Sequence, residues 1–169
     1  MHIVTLEPED FREKYEAWVE FVAANHHGKN HRVNSMPAFV PLSKPLAESR
    51  VALLTTAGAH LSDQEPFHTA TVAGDSTFRV IPNDAAAASL RFSHTHYDTT
   101  SAEADRNVVL PIDRLTELVD SGRIGEASPI HIGMMGFNPD PTPIAKETGP
   151  AVAAALNEAG VDVAVLVPG

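Results

Sequence analysis

The sequence predicts an α/β fold: one domain over residues 1–169, with a mostly parallel sheet, flanking helices and a Rossmann-like layered architecture. Short apolar segments rich in β-branched residues end in Gly or Pro, which is typical of buried parallel strands. The last part of the chain places helix, Gly turn and apolar strand in immediate succession, the pattern of an α/β crossover unit. Residues 1–40 are predicted to form an N-terminal helix and loop, and residues 50–169 the core.

Residues 8–24 are predicted to form an amphipathic helix, because a proline opens the segment and large apolar side chains recur on one face. That face is interpreted as a packing surface. Residues 25–37 have no sustained period and are predicted to form a loop. Its histidines, His26, His27 and His31, are interpreted as solvated polar residues, with metal or anion binding as the alternative hypothesis.

Seven later segments are predicted to be strands or helices. The strands are apolar and β-rich, and the helices have an early Pro or a Gly that ends them. The predicted strands cover 51–58, 77–82, 90–98, 129–137 and 161–169, the last as a buried strand, and the predicted helices cover 111–122 and 147–160.

Composition excludes several classes of function. The chain carries 22 acidic and 12 basic residues, a formal net charge of −10 at pH 7. Such a charge repels phosphate backbones and anionic lipid, so neither nucleic acid nor a membrane is an expected partner. No apolar run has the length of a transmembrane helix, and a cytoplasmic location is expected. Because the chain has no cysteine, any redox group must come from elsewhere.

The sharpest chemical signal lies in the segment after Leu90. If this segment stays extended, side chains two residues apart lie on the same face. The residues that then share one face are Leu90, Phe92, His94, His96 and Asp98. Two imidazoles and a carboxylate so arranged can bind zinc or iron, or they can line a cleft that binds substrate or a neighbouring subunit without metal. Both hypotheses stay open, with His94, His96 and Asp98 as the predicted catalytic residues and candidate metal ligands.

Ligands of open α/β sheets usually bind at the carboxyl edge, in the loops that follow the strands. The loop after the apolar run at 51–54 therefore supplies candidate substrate-binding residues close to the predicted histidine pair. These residues are Thr55, Thr56, Gly58 and His60.

Two more residues are candidates for substrate binding. His131 lies between Ile130 and Ile132 in a predicted strand, so it either reaches the ligand or is a hydrogen-bonded core histidine. Arg79 either forms an ion pair with Asp75 or binds a substrate carboxylate in a bidentate way. The sequence does not decide between these alternatives.

Four segments match a known family in order and spacing: RVALLTTAGAHLSDQEPF at 50–67, GDSTFRVIP at 74–82, LRFSHTHYDTTSAEADRNVVLPIDRLTELVDSGRIG at 90–125 and GVDVAVLVPG at 160–169. The most specific pieces are HTHYD and the DxNVVxPxDRL pattern that begins at Asp105. Together they resemble the selenoprotein B family of glycine, sarcosine, betaine and D-proline reductases. The resemblance covers nearly all of the chain after residue 40 and is less distinct before it.

The resemblance implies an oxidoreductase subunit that takes part in reductive cleavage of a carbon–nitrogen bond. Its substrate would be a small amine or amino-acid-like molecule, attacked by a selenol or thiol while held on the carbonyl-type cofactor of a partner subunit. The Cys or selenocysteine is expected directly downstream of Gly169, beyond the last residue of this sequence. We expect that the chain was cut there, or that a selenocysteine codon was read as a stop, and that this chain alone is inactive or severely impaired.

Two other functions stay open. The lack of cysteine also fits a non-catalytic binding or assembly subunit. The cluster of His94, His96 and Asp98 also fits a metal-dependent hydrolase or lyase. An exposed edge on the final strand would favour association into a homo-oligomer.

Overall fold

The computed structural model describes residues 40–70, 73–94 and 97–169, all of which belong to one compact unit. The predicted N-terminal helix and the histidine-containing loop after it lie outside the described residues, and so does His96. The prediction that the whole chain is a single domain therefore stays a prediction.

The described residues contain seven strands. Five of them overlap the five predicted strands, whereas the short strands at 59–61 and 126–127 were not predicted. The sequence alternates them with polar, Gly- and Pro-containing turns, which is why the strands are short. They are β1 (Arg50–Thr55), β2 (Ala59–Leu61), β3 (Phe78–Pro82), β4 (Leu90–Phe92), β5 (Glu126–Ala127), β6 (Ile130–Met134) and β7 (Val163–Val167).

β1 is the central strand of a mixed five-stranded sheet. It pairs in parallel with β7 along one edge, and with β5 and then β6 along the other. β3 pairs with β6 in the antiparallel direction, while β2 and β4 form a separate antiparallel pair. The predicted α/β fold with a mostly parallel sheet is confirmed.

The described residues also contain three α-helices. They are α1 (Thr100–Ala104), α2 (Ile112–Asp120) and α3 (Gly149–Glu158); 3₁₀ turns lie at Leu46–Glu48, Ala87–Ser89 and Arg106–Val108, and a π-helical turn at Ile144–Thr148 leads into α3. α2 ends where Gly122 takes a φ of +69°. The N–H of Arg123 then donates to the carbonyl of Leu118 at 3.0 Å, which closes the last turn. Of the helices in the described segments, none has the length and apolarity needed to cross a bilayer.

Two hydrophobic clusters cover the two faces of the sheet. Alternate residues of β1 belong to different clusters, because successive side chains of a strand point to opposite faces. Val51 and Leu53 pack with Leu115 of α2. Ala52 packs with Leu156 of α3. This is the layered arrangement that the sequence predicts.

Two element predictions were wrong in part. The predicted strand at 90–98 ends at Phe92, because its partner β2 begins at Ala59. The N–H of Ser93 still donates to the Gly58 carbonyl, but Gly58 has a φ of +72° and is not extended. The predicted buried strand at 161–169 is β7, which is partly exposed: Leu166 is 71% exposed. Among the described strands β7 pairs only with β1, so it is an edge strand. The sequence does not predict this, because central and edge strands can have the same apolar composition.

Candidate active site

A pocket of about 300 Å³ lies at the carboxyl edge of the main sheet. Its walls come from the segments that follow β1, β6 and β7, the three long parallel strands, together with the segment after β4. Because parallel strands end at the same edge, these loops converge, as the carboxyl-edge rule predicts. The lining residues are Thr56, His94, Gly136, Phe137 and Gly169.

Two hydrogen bonds hold the end of β1 against the end of β7 beside the pocket. The N–H of Thr56 donates to the Val167 carbonyl at 3.1 Å. The N–H of Gly169 donates to the Thr56 hydroxyl at 3.1 Å. A Cβ at position 169 would collide with the backbone of Ala57, so only glycine brings the chain this close.

His94 reaches the pocket from the segment after β4. An ideal Cβ at Gly136 would lie 3.4 Å from the His94 Nε2, so the imidazole is packed directly over that glycine. The His94 ring also lies against Tyr97, with 4.8 Å between centroids and planes tilted by 49°. These two contacts place the imidazole beside Thr56 and Gly169.

Tyr97, which packs against the His94 ring, is itself held by a hydrogen bond. Its hydroxyl donates to the Ala57 carbonyl at 2.8 Å. Burial raises the pKa of Tyr97, and the negative charge of Glu103 raises it further. The phenol therefore stays protonated at neutral pH and remains a hydrogen-bond donor.

Asp98 does not line the pocket. Its Oδ1 accepts from the hydroxyl of Thr100 at 2.6 Å and from the N–H of the same residue at 3.0 Å, at the start of α1. Hydrogen bonds from Thr100 hold the pKa of Asp98 below its ordinary value, so the carboxylate is ionised at neutral pH.

The metal hypothesis is not tested by these positions. Within residues 40–70, 73–94 and 97–169, no three His, Asp or Glu side chains are grouped as metal ligands would be. One of the three predicted ligands, His96, lies outside those residues. Metal binding by His94, His96 and Asp98 stays a prediction.

Four residues that follow the apolar run at 51–54 were predicted to bind substrate. Thr56 lines the pocket, whereas Thr55, Gly58 and His60 lie in the backbone and core next to it. The Thr55 hydroxyl is buried and accepts from the Ala57 N–H at 3.2 Å. Gly58 has a φ of +72°, and a Cβ there would collide with the Ser93 carbonyl. His60 is 4% exposed and contacts Ser93 rather than the pocket.

His131 is placed in the core, which matches the second of its two interpretations. It is 0% exposed, its Nδ1 accepts from the Leu53 N–H at 3.1 Å, and its Nε2 lies 2.9 Å from the Asn83 Oδ1. Nε2 therefore carries the proton. Burial, with a further contribution from the charge of Arg106, lowers the pKa of His131 to about 4, so the ring is neutral at pH 7.

Arg79 also lies apart from the residues that line the pocket. Its Nε donates to the Glu65 carbonyl at 2.8 Å, and its guanidinium lies 4.5 Å from the centre of the Phe67 ring. Asp75 instead accepts from Thr77 and from the N–H of His68. Arg79 therefore holds the loop between β2 and β3, and its role in substrate binding stays a prediction.

Sequence analysis missed three residues of this site. Gly136 and Phe137 follow β6 as Thr56 follows β1, so the carboxyl-edge rule could have identified them. Tyr97 lies inside the HTHYD segment, but the assumption of an extended strand to residue 98 placed it on the opposite face from His94. The strand ends at Phe92, and the centroids of the two rings lie 4.8 Å apart.

Comparisons with known proteins agree on one family. The family model for glycine/sarcosine/betaine reductase selenoprotein B matches residues 19–168. D-proline reductase subunit gamma of Acetoanaerobium sticklandii is 40% identical over 133 residues, which cover 79% of this chain and 54% of that protein. Glycine reductase complex component B subunit gamma of Carboxydothermus hydrogenoformans is 28% identical over 163 residues, covering 88% and 36%. The chain thus spans about half and about a third of these two relatives. No solved structure matches.

Proposed function

The chain belongs to the glycine/sarcosine/betaine reductase selenoprotein B family, and from this premise we propose that it presents an imidazole to a selenol or thiol nucleophile in a reductase complex. The observation that carries the proposal is that His94 and Gly169 line the same pocket. The Cα of a residue that follows Gly169 lies about 3.8 Å from the Gly169 Cα, by the geometry of the peptide unit. A Cys or selenocysteine at that place would begin beside His94.

The pocket residues fit such a group. The His94 imidazole is a group that can accept or donate a proton, and Phe137 supplies an apolar wall that suits a soft, polarisable sulfur or selenium atom. The Thr56 hydroxyl accepts from Gly169 through a lone pair, so its own proton remains available as a donor. When present, the selenol or thiol supplies the nucleophile of the carbon–nitrogen cleavage.

His94 has two tasks in this proposal. As a neutral imidazole it takes the proton of the thiol or selenol, which raises the fraction of the reactive anion. As an imidazolium it gives that proton to the substrate nitrogen when the carbon–nitrogen bond breaks, so that a neutral amine leaves. The attack forms a bond from the sulfur or selenium to the substrate carbon as the carbon–nitrogen bond breaks. One thiolate of a dithiol then attacks that sulfur or selenium, and the released carbon takes a proton. The second thiol of the dithiol displaces the nucleophile, so the dithiol is oxidised to a disulfide and the nucleophile is regenerated.

The names of the two relatives support a substrate class for this proposal. One is named for D-proline and the other for glycine, and both are named as subunits. By analogy, we propose that the complex containing this chain acts on a small amino acid or a related amine, and that a partner subunit holds this substrate.

The test uses a Cys-extended chain, in which a short segment beginning with Cys follows Gly169. This chain and its matched control, the same extension with Ser in place of Cys, are each mixed with a D-proline or glycine reductase partner subunit, and dithiol-dependent release of amine product is assayed. We expect activity only with the Cys extension. Equal product from the Ser extension, or from residues 1–169 alone, would contradict the proposal.

A further inference from the structure

His60 is a buried histidine whose hydrogen bonds define a single tautomer. Its Nδ1 lies 2.8 Å from the Leu61 carbonyl oxygen, which can only accept, so Nδ1 is the donor. In the neutral ring Nε2 is then an acceptor, and the Ser93 hydroxyl lies 2.9 Å from it. The Ser93 hydroxyl therefore donates to His60. An edge-to-face contact with Phe67 fixes the plane of the ring.

The backbone of Ser93 is held as firmly as its side chain. Its N–H donates to the Gly58 carbonyl at 2.9 Å, and the N–H of Gly58 donates to the Met134 carbonyl at 2.7 Å. Met134 ends β6, and two residues later Gly136 packs against His94. The chain on which His94 is mounted is thus tied to the strand that forms the opposite wall of the pocket.

His94 lies between two anchors. Before it, Ser93 is bonded to His60 and to Gly58. After it, Tyr97 supports the imidazole face and is bonded to the Ala57 carbonyl. His60 itself is absent from the pocket lining, so it touches neither the proposed nucleophile nor the substrate.

We infer that His60 is a positioning residue, which acts through the Ser93 hydroxyl to hold the His94 imidazole in the pocket; this rests on the proposed function of His94. Without the hydrogen bond between the Ser93 hydroxyl and His60, the side chain of residue 93 no longer restrains the backbone that carries His94. The imidazole then spends less time beside Thr56 and Gly169, and a nucleophile placed there loses its proton acceptor.

Ser93→Ala tests the inference, with Ser89→Ala as the matched control. The Ser89 hydroxyl also makes one hydrogen bond, to the Ala86 carbonyl at 2.7 Å, but in an exposed turn. In the Cys-extended chain we expect Ser93→Ala to slow alkylation of the thiol at neutral pH by about fivefold, the equivalent of one neutral hydrogen bond. Ser89→Ala should leave that rate unchanged.

Nuclear Overhauser effects between the His94 and Tyr97 rings, measured in residues 1–169, are a second readout that needs no nucleophile. We expect Ser93→Ala to weaken them, whereas His60→Gln, whose amide oxygen can accept from Ser93, preserves them. Effects of unchanged strength in Ser93→Ala, or an equal weakening in Ser89→Ala, would overturn the inference. The proposed function would survive that result, because it is tested separately by the Ser extension and by substitution of His94 itself.

Discussion

The N–H of Gly169 donates to the hydroxyl of Thr56 at 3.1 Å, which joins the segment after β7 to the segment after β1. The two strands are parallel neighbours, so both segments leave the sheet at the same edge. His94 lies in the pocket that these segments line. Gly169 and an imidazole that is far from it in sequence therefore form one site.

Thr56→Val should loosen this junction. Valine has nearly the same shape as threonine but cannot accept from the Gly169 N–H. We expect amide hydrogen exchange at Gly169 to accelerate about threefold or more, the equivalent of one hydrogen bond exposed to solvent. Thr56→Ser keeps the acceptor and should restore slow exchange; exchange that is equally fast in both variants would show that the hydroxyl does not hold Gly169.

Gly136→Ala should crowd the Thr56 side of the pocket. The added Cβ would lie 3.2 Å from the Thr56 carbonyl oxygen, which is a tight contact, and 3.4 Å from the His94 Nε2, which is ordinary packing. Thr56 must therefore shift by a few tenths of an ångström, and it carries the Gly169 N–H with it. We expect alkylation of the thiol in the Cys-extended chain to slow, while the free energy of unfolding falls by about 1 kcal/mol.

Gly122→Ala is the matched control for that substitution. Nothing lies within 4 Å of a Cβ at Gly122, but its φ is +69°, so alanine there is strained by about 1–2 kcal/mol. We expect this variant to unfold at lower urea concentration and to keep full thiol reactivity. If Gly122→Ala slows alkylation as much as Gly136→Ala does, general destabilisation explains both effects.

His131 should make the protein less stable in mild acid. Burial lowers its pKa to about 4 from an ordinary value of 6.5, so the fold requires the neutral ring. Well above pH 6.5 the ring is neutral in the folded and in the unfolded protein, so its ionisation does not change the free energy of unfolding. As pH falls from 6.5 to 4 the unfolded chain gains a proton that the folded chain does not. Stability is then lost, by up to roughly 3 kcal/mol.

Urea unfolding at several pH values, with His131→Leu as comparison, checks this prediction. At pH 7 the variant should be less stable by about 1–3 kcal/mol, because the Leu53 N–H loses its buried acceptor. Toward pH 4 the difference should shrink, since leucine has no proton to gain. Parallel stability curves for the two proteins would contradict the low pKa.

Chelation separates the reductase proposal from a metal-dependent hydrolase or lyase. The Asp98 carboxylate is engaged by Thr100 at the start of α1, so we expect it not to act with His94 as a metal ligand. EDTA treatment should leave thiol reactivity in the Cys-extended chain unchanged. One tightly bound zinc or iron per chain, with reactivity lost on its removal, would favour the metal-dependent alternative.

The sequence is sufficient to predict the longer strands of the sheet and part of the site. Hydrophobic periodicity can be read from short segments, and so can the loops that follow parallel strands at the carboxyl edge of the sheet. Thr56 could be placed beside His94 since a strand of β-branched and apolar residues ends just before it. The same rule applies to Gly136, but glycine carries no chemical group that would draw attention to it. It lets its backbone lie close to the Thr56 carbonyl and to the imidazole, and this closeness depends on tertiary packing.

Other features depend on contacts that no local pattern encodes. The N–H of Ser93 donates to the carbonyl of Gly58, more than thirty positions earlier in the sequence. His131 and His60 are buried, yet the sequence cannot distinguish them from His94, because each is flanked by apolar or small residues. Their positions in the fold separate them: His131 and His60 lie in the core, whereas His94 lines the pocket.

The central claim is that His94 is the proton acceptor for a nucleophile placed after Gly169, and the pKa of that nucleophile tests it most directly. In the Cys-extended chain, the pH dependence of thiol alkylation gives the thiol pKa with His94 and with His94→Gln. We predict a pKa about one unit lower in the chain that retains the imidazole. The same pKa and the same limiting rate in both chains would contradict the account.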